Sequence, residues 1–351
     1  MSLVGSDFAA KITNKAAGAL PRFFLVPLIF LLISIRFYLK LSKYSSKRAA
    51  NSPIKGKSDT LIYEHIQLPN GLKTLVIHDH TAETASATIS FNFGSFLDPP
   101  EYPGLAHFLE HLLFMGTEKY RDEAEYVSFI SENSGSCNAE TSGEYTLYHF
   151  SIKADFLEPA LDRFSQFFTA PLFSASCVGK EIDAIDSEFL IHRQHDFQRY
   201  RHVRAFLTNL SHPFHNFLVA NKATLTGKDG GNIRDEVISF YRNHYSADRM
   251  SLVVVGKEPI ADLIKLVKDK FPNVPGSLQP FDCYWKHISR AVEENLGSII
   301  WVKTLQLTRT IEFVWQIPDQ MPLYMSKPAS FLAGIIGHDG DGGYFDVWER
   351  F

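Results

Sequence analysis

The order of segment types along the chain predicts an α+β fold in which a mostly antiparallel sheet packs against helices. Strand-like segments come first, within residues 61–93, and long amphipathic helical segments follow them. The sequence lacks the regular strand–helix–strand alternation that would indicate a parallel sheet. A length of 351 residues allows one large domain or two ordinary ones, and 45% hydrophobic residues indicate a packed core.

Composition narrows the class of function. The net charge is −4, so no electrostatic feature favours a nucleic-acid partner. Cys137, Cys177 and Cys283 are odd in number, widely spaced and without a Cys-x-x-Cys pair. This usage predicts neither a disulfide framework nor a cysteine-based zinc site, and it places the folded body in a reducing compartment.

The N-terminal region contains an apolar run with basic flanks. Residues 1–18 form a polar tail, and residues 19–41 are long enough to span a bilayer when Arg22 and Arg36 lie at its two interfaces. This pattern predicts a single-pass membrane anchor, with a cleaved targeting peptide or a buried helix as alternatives. Basic residues are more numerous after the run, so the body is expected in the cytosol. The acid-poor start of the chain keeps a mitochondrial location as the alternative.

Beyond the anchor, the sequence predicts a linker and two domains. Residues 42–58 are basic and rich in serine, which is typical of a flexible linker. A first domain is expected over residues 59–275, and a cluster of proline and glycine ends it. Residues 276–351 are expected to begin a second domain.

The elements of the first domain follow from residue patterns. Leu61–Leu68 and Leu72–His78 flank Pro-Asn-Gly and predict a hairpin, and a third strand is expected at Ala85–Phe93. Asp122 is placed to cap a helix that runs to Glu132. The remaining elements predicted in the first domain are an extended segment at 137–152, a strand at 250–255, and helices at 155–168, at 233–245, at 260–271 and from 177 to beyond 199. In the second domain, strands are expected at 298–302 and 310–317 and a helix at 330–336.

The stretch LAHFLEHLLFM, residues 105–115, is apolar on nearly every side except for three residues. His107, Glu110 and His111 are three and four positions apart, so a helix places them on one face. Burying two imidazoles and a carboxylate costs several kcal/mol unless they have partners. A divalent metal bound by both imidazoles, with the carboxylate beside it, meets that requirement, whereas the alternative is a helix that happens to carry two histidines.

Two imidazoles leave a catalytic zinc ion short of its usual three protein ligands. Glu181 and Glu188 are the best candidates for the missing group, because a spacing of seven places both on one helix face. A solvated acidic face is the alternative, and Asp183 and Asp186 nearby make it credible.

Several ordered motifs together resemble the insulinase (pitrilysin) family of zinc metallopeptidases, in particular its insulin-degrading enzyme branch. The resemblance covers the chain from about residue 60 to its end. It rests on GLAHFLEHLLFMGTEKY at 104–120, KEIDAIDSE at 180–188, SHPF at 211–214, GSFLDP at 94–99, SCNAETSGE at 136–144 and IGHDG at 336–340.

The resemblance implies a role for each site residue. His107, His111 and Glu188 match the ligands of one zinc ion per chain, Glu110 matches the catalytic base, and Glu181 matches a carboxylate that supports the site from behind the ligands. Asn138 and Ala139 resemble the strand to which a peptide substrate adds, although Asn138 is equally an exposed strand residue. Glu140 departs from the family, because relatives usually have an aromatic residue there.

The expected function is therefore hydrolysis of peptide bonds in short peptides or peptide precursors. The chemistry fits the residues, because a bound zinc activates water and Glu110 is placed to accept its proton. Family members are much longer, so the resemblance implies that residues 276–351 are an incomplete second domain of the same type. A missing C-terminal half or a second copy of the chain is therefore an expected partner. The alternative is a truncated remnant that binds zinc but cleaves little. An inactive structural subunit is disfavoured by the intact motif.

Overall fold

A computed structural model describes residues 10–13, 53–216, 219–226, 231–277, 282–306 and 311–337. The chain separates into two compact units, residues 1–306 and 307–351. The division predicted at residue 275 stays a prediction, as do the other predicted domain limits. The predicted anchor at residues 19–41 lies outside the described residues. Among the helices that are described, none has both the length and the apolar character needed to cross a membrane.

Strands of the first unit form a mixed sheet that is mostly antiparallel, as the sequence predicts. The strands are β1 (Ala10–Thr13), β2 (Ile62–Gln67), β3 (Lys73–His78), β4 (Thr84–Phe91), β5 (Ser136–Thr141), β6 (Thr146–Lys153), β7 (Met250–Gly256) and β8 (Ile299–Val302). In the described part of the chain, six of them form one sheet in the order β2-β3-β7-β4-β6-β5, whereas β1 pairs with β8. Only the pairing of β3 with β7 is parallel in this sheet.

The β2–β3 hairpin and β4 confirm the predicted N-terminal strands. The hairpin turns at Pro-Asn-Gly, where Gly71 adopts a left-handed φ of 95°. Along β4, alternate residues from Ala85 to Phe91 are buried, which is the two-residue period of a strand with one face on the core. Phe91 packs against Tyr245 with ring centroids 4.4 Å apart, and the Tyr245 hydroxyl lies 2.8 Å from that of Tyr148 on β6.

The predicted single extended segment at 137–152 is wrong in its continuity. The chain turns at residues 142–145, where the Ser142 N–H donates to the Tyr145 carbonyl, and β5 and β6 then pair antiparallel. Strand β5 is the last in the sheet, so one of its edges carries no neighbouring strand within the described residues.

Helices cover the sheet and confirm most of the predicted helical segments. They are α1 (Leu105–Leu113), α2 (Glu125–Glu132), α3 (Leu157–Gln166), α4 (Ala175–His192), α5 (Asp196–Phe206), α6 (Lys222–Leu225), α7 (Ile233–His244), α8 (Ile260–Lys270) and α9 (Pro328–Ile336). The helix predicted from 177 beyond 199 is wrong in its continuity. It ends at His192, and a turn in which the His195 N–H donates to the His192 carbonyl separates α4 from α5.

The second unit is described over residues 311–337. Helix α9 confirms the helix predicted near residue 330. The strand predicted at 310–317 is wrong over 311–317, where the backbone pairs with no other strand. Its apolar side chains, among them Phe313 and Trp315, are exposed, so the alternation in the sequence has no sheet to pack on. The strand predicted near 298–302 is confirmed as β8, which belongs to the first unit.

Candidate metal centre

The N-terminus of α1 is fixed by a loop that precedes it. The carboxylate of Asp98 accepts hydrogen bonds from the N–H of Gly104, at 2.7 Å, and of Ala106, at 2.8 Å. These are donors that the first turn of a helix cannot satisfy itself. Gly104 has a φ of 91°, and a Cβ there would lie 2.4 Å from the backbone of Ala220. Glycine is required at this position because both the dihedral angle and the contact exclude a side chain.

Helix α1 has one apolar side and one polar stripe. Leu105, Phe108 and Leu109 are fully buried, so the core fixes the rotation of the helix. His107 and His111 are partly exposed on the opposite side, with ring centroids 4.9 Å apart. The three-and-four spacing therefore produces the shared face that the sequence predicts.

Helix α4 packs against α1 and brings a carboxylate to the two imidazoles. Oε2 of Glu188 lies 3.9 Å from Nε2 of His107 and 3.5 Å from Nε2 of His111. One ligand atom from each of these three residues lies within 4.8 Å of the others. Two imidazoles and one carboxylate converging in this way could hold a metal ion, and they match the three protein ligands typical of an open zinc site.

A second carboxylate of α4 holds the outer side of one imidazole. Oε2 of Glu181 lies 3.1 Å from Nδ1 of His111. A carboxylate in this position accepts the Nδ1 proton, and it leaves the Nε2 lone pair facing Glu188 and His107. Glu181 thus orients the His111 imidazole and lies outside the cluster that could hold a metal ion.

The electrostatics of the centre favour a cation. Burial lowers the pKa of His107 to about 4. Burial also opposes protonation of His111, but Glu181 and Glu188 outweigh it and raise its pKa to about 9. The contact with His111 lowers the pKa of Glu188. Without metal, His111 is therefore protonated on both nitrogens, with Nδ1 facing Glu181 and Nε2 facing Glu188. A divalent ion would replace the proton on Nε2.

Glu110 is buried beside the ligands. Only 7% of its surface is exposed, and its Oε2 has no hydrogen-bond partner among the described residues. Burial raises the pKa of Glu110 to about 7, while the nearby Thr141 hydroxyl opposes part of this shift. A buried carboxylate oxygen without a partner is costly in a purely structural role.

The three predicted substrate residues lie on β5, which packs against α1. Asn138 and Glu140 are exposed, whereas Ala139 between them is partly buried. The structure therefore places an edge strand against the helix that carries the two histidines, with Thr141 and Glu140 near Glu110. An open edge presents unpaired backbone groups to which an extended peptide can pair.

Comparison with known protein families gives matches over two ranges of the chain. Residues 73–214 match the family described as "Insulinase (Peptidase family M16)", and residues 232–347 match "Peptidase M16 inactive domain". The chain belongs to the insulinase family. Peptidases of this family depend on zinc, and the His-His-Glu cluster lies within the first matched range.

Similar insulinase-family proteins include the A-factor-processing enzyme of Saccharomyces cerevisiae. It is 40% identical over 292 residues, which cover 82% of this chain and 28% of that protein. Human insulin-degrading enzyme is 38% identical over 308 residues, which cover 87% of this chain and 30% of that protein. The crystal structure of pitrilysin matches with a TM-score of 0.66 and 28% identity, over 71% of this chain and 26% of that one. The chain thus spans less than a third of the length of these relatives.

Sequence reasoning missed two residues near the insulinase-type centre. Nδ1 of His192 lies 3.5 Å from Oε1 of Glu188, one helical turn away. The four-residue spacing on the same predicted helix was the available signal for it. Thr141 follows the predicted substrate residues and acts on Glu110, but a threonine at the end of a strand gives no comparable signal in the sequence.

Proposed function

We propose that this chain carries the metal-binding and peptide-cleaving machinery of a zinc-dependent metalloendopeptidase acting on short peptides or peptide precursors. The convergence of His107, His111 and Glu188 beside the buried, unpartnered oxygen of Glu110 is the observation that carries the proposal. The insulinase-family relatives support it. The chain spans less than a third of their length, so peptidase activity of this chain is proposed here and has to be measured on the chain itself.

His107, His111 and Glu188 would hold one zinc ion per chain, with an open position for water or substrate. When bound, the ion polarises the scissile carbonyl and lowers the pKa of water to about 7. The residues fit this ion, because borderline nitrogen and oxygen donors in a set of three are typical of catalytic zinc. Glu181 holds His111 in the tautomer that binding requires.

Glu110 would act as the general base and then as the general acid. Its position next to His111 places the carboxylate beside the metal centre, so it accepts a proton from the attacking water and delivers it to the leaving amine. The open edge of β5 would hold the peptide by main-chain hydrogen bonds, with Asn138 and Ala139 in contact with it. This pairing keeps the scissile bond in line with the water.

Metal analysis and peptidase assays of the purified full-length chain test this proposal. We expect about one zinc ion per chain in the wild type, and its loss in His107→Ala and His111→Ala. Glu110→Gln should retain zinc while the rate on a fluorogenic peptide falls about 10²-fold or more. His65→Ala, a histidine exposed on β2 at the other edge of the sheet, is the matched control and should change neither quantity.

A zinc-binding chain with little or no turnover is the alternative function. The same assay separates the two functions. Equal rates in wild type and Glu110→Gln, with zinc retained in both, would leave only the binding function. Absence of zinc from the wild type would remove both.

We further propose that residues 19–41 anchor the chain in a membrane with the body in the cytosol, a mitochondrial location being the alternative. The basic residues that follow the apolar run support this orientation. Release of the full-length chain by alkaline carbonate would contradict anchoring.

A C-terminal half supplied separately, or a second copy of the chain, is the proposed protein partner. The native size from light scattering tests this partner.

A further inference from the structure

Glu140 stands on the open edge strand of the sheet. Within the described part of the chain, β5 pairs with β6 and with no other strand, and its side chains alternate so that Ser136, Asn138 and Glu140 are exposed. A peptide that pairs along this edge is extended, and its own side chains alternate in the same way. Every second side chain of such a peptide therefore lies on the same side as Glu140.

The carboxylate of Glu140 has no cationic partner within ion-pair distance among the described residues. Its contact is with the Tyr145 hydroxyl, which donates a hydrogen bond to Oε1 at 2.7 Å. Glu144, in the turn that follows β5, differs in this respect. One of its oxygens lies 3.1 Å from Arg290, and the other accepts a hydrogen bond from the indole of Trp285. Glu140 thus lies next to the strand edge without a direct ion pair among the described residues, and Arg201 is near enough to act only on the Tyr145 hydroxyl beside it.

Glu140 also lies close to the proposed catalytic base. Glu140 is near enough to Glu110 to act on it electrostatically, and Thr141, the next residue, lies beside the same carboxylate. A peptide paired along β5 would therefore pass Glu140 close to the bond that is cleaved. A cationic side chain on that peptide would be attracted by the Glu140 carboxylate, whereas an acidic one would be repelled.

We propose that Glu140 selects peptides that carry a basic side chain close to the scissile bond. This inference rests on the proposed function, because it assumes that substrate pairs along β5. The substrate class is then an extended peptide with arginine or lysine on the side that faces Glu140. Tyr145 holds the carboxylate in place and leaves its second oxygen for the incoming cation.

Peptide binding to the full-length, zinc-loaded Glu110→Gln chain provides the test, because slow cleavage does not disturb an equilibrium measurement. Fluorescein-labelled peptides that differ at one position, arginine or its neutral isostere citrulline, are compared by anisotropy, and the position is moved along the peptide. We expect arginine to improve the Kd about five- to tenfold at one position, or at two positions that are two residues apart. The improvement should be smaller at high salt.

Substitutions of Glu140 assign the preference to that residue. Glu140→Gln should abolish the difference between arginine and citrulline, and Glu140→Lys should favour a glutamate peptide instead. Glu64→Gln, on β2 at the opposite edge of the sheet, is the matched control and should keep the arginine preference. Equal binding of the arginine and citrulline peptides at every position would overturn this inference alone. Failure of all peptides to bind would overturn it together with the proposed function.

Discussion

Nδ1 of His111 lies 3.1 Å from Oε2 of Glu181, so a hydrogen bond joins the two helices that form the candidate metal centre. Helix α1 supplies the imidazole and α4 supplies the carboxylate, and neither helix could fix the ligand alone. A hydrogen bond to the outer nitrogen selects the tautomer that leaves Nε2 free to bind metal. The pair therefore sets both the direction and the protonation of a proposed ligand.

Glu181→Ala should weaken zinc binding without removing a ligand. The imidazole of His111 loses its orienting acceptor, and substitutions of this kind typically reduce metal affinity about 10- to 100-fold. Competition with a fluorescent chelator measures the affinity. Asp183→Asn on the same helix is the control, because Asp183 pairs with Lys222 and not with the centre. Unchanged zinc affinity in Glu181→Ala would contradict the role of Glu181.

His192→Ala should lower zinc affinity about tenfold. With Oε2 of Glu188 facing the imidazoles, Oε1 remains for His192, which restrains the carboxylate from rotating. His192→Gln retains a donor and should recover most of the affinity. His195→Ala, three residues further along the chain, is the control. A drop of the same size in His195→Ala would show that the effect comes from the end of α4 and not from the contact with Glu188.

Asp98→Ala should destabilise the fold by about 1 to 2 kcal/mol and also weaken zinc retention. Two N–H groups at the start of α1 lose their acceptor, and α1 carries both proposed histidine ligands. Asp122→Ala is the matched control, because Asp122 accepts from the Ala124 N–H before α2, away from the ligands. Urea unfolding should show a loss in both variants, and chelator competition should show weaker zinc binding in Asp98→Ala only.

His244 should make the fold sensitive to acid. Burial against aromatic rings lowers its pKa to about 4, below the value near 6.5 of an unfolded chain. Its contribution to stability is complete above pH 6.5 and is lost as pH falls toward 4, because only the unfolded chain is then readily protonated. We expect this loss, measured on the metal-free chain, to amount to about 1 to 2 kcal/mol after solvent screening. His244→Gln should flatten the urea-unfolding curve against pH in this window, and an unchanged slope would argue against it.

Local periodicity was sufficient to predict which residues share a helix face, but not that the two faces converge. The spacing of His107, Glu110 and His111 fixes a helix face by geometry alone, and the seven-residue spacing of Glu181 and Glu188 does the same on α4. That the two faces meet depends on packing between distant segments. The resemblance to the insulinase family supplied this part of the prediction, because periodicity carries no information on which helices become neighbours.

The errors also have a physical origin. No proline or glycine separates α4 from α5, and the break is set by a turn in which the His195 N–H donates to the His192 carbonyl. The turn between β5 and β6 is only four residues long and is closed by a hydrogen bond from the Ser142 N–H to the Tyr145 carbonyl. Because so few residues interrupt the two strands, their sequence resembles one extended segment. At 311–317, alternation predicts a strand, but a strand also needs a neighbour to pair with.

The position of β7 also determines the order in which the sheet can assemble. Strands β2 and β3 can pair locally, as can β5 and β6, but β7 lies between β3 and β4 and joins them. During synthesis, the centre of the sheet stays open until residues 250–256 have emerged from the ribosome. Pairs between such distant segments form slowly, and the unpaired strand edges stay exposed until they do. Nascent chains shorter than this are therefore expected to depend on chaperones, although they already contain every proposed zinc ligand.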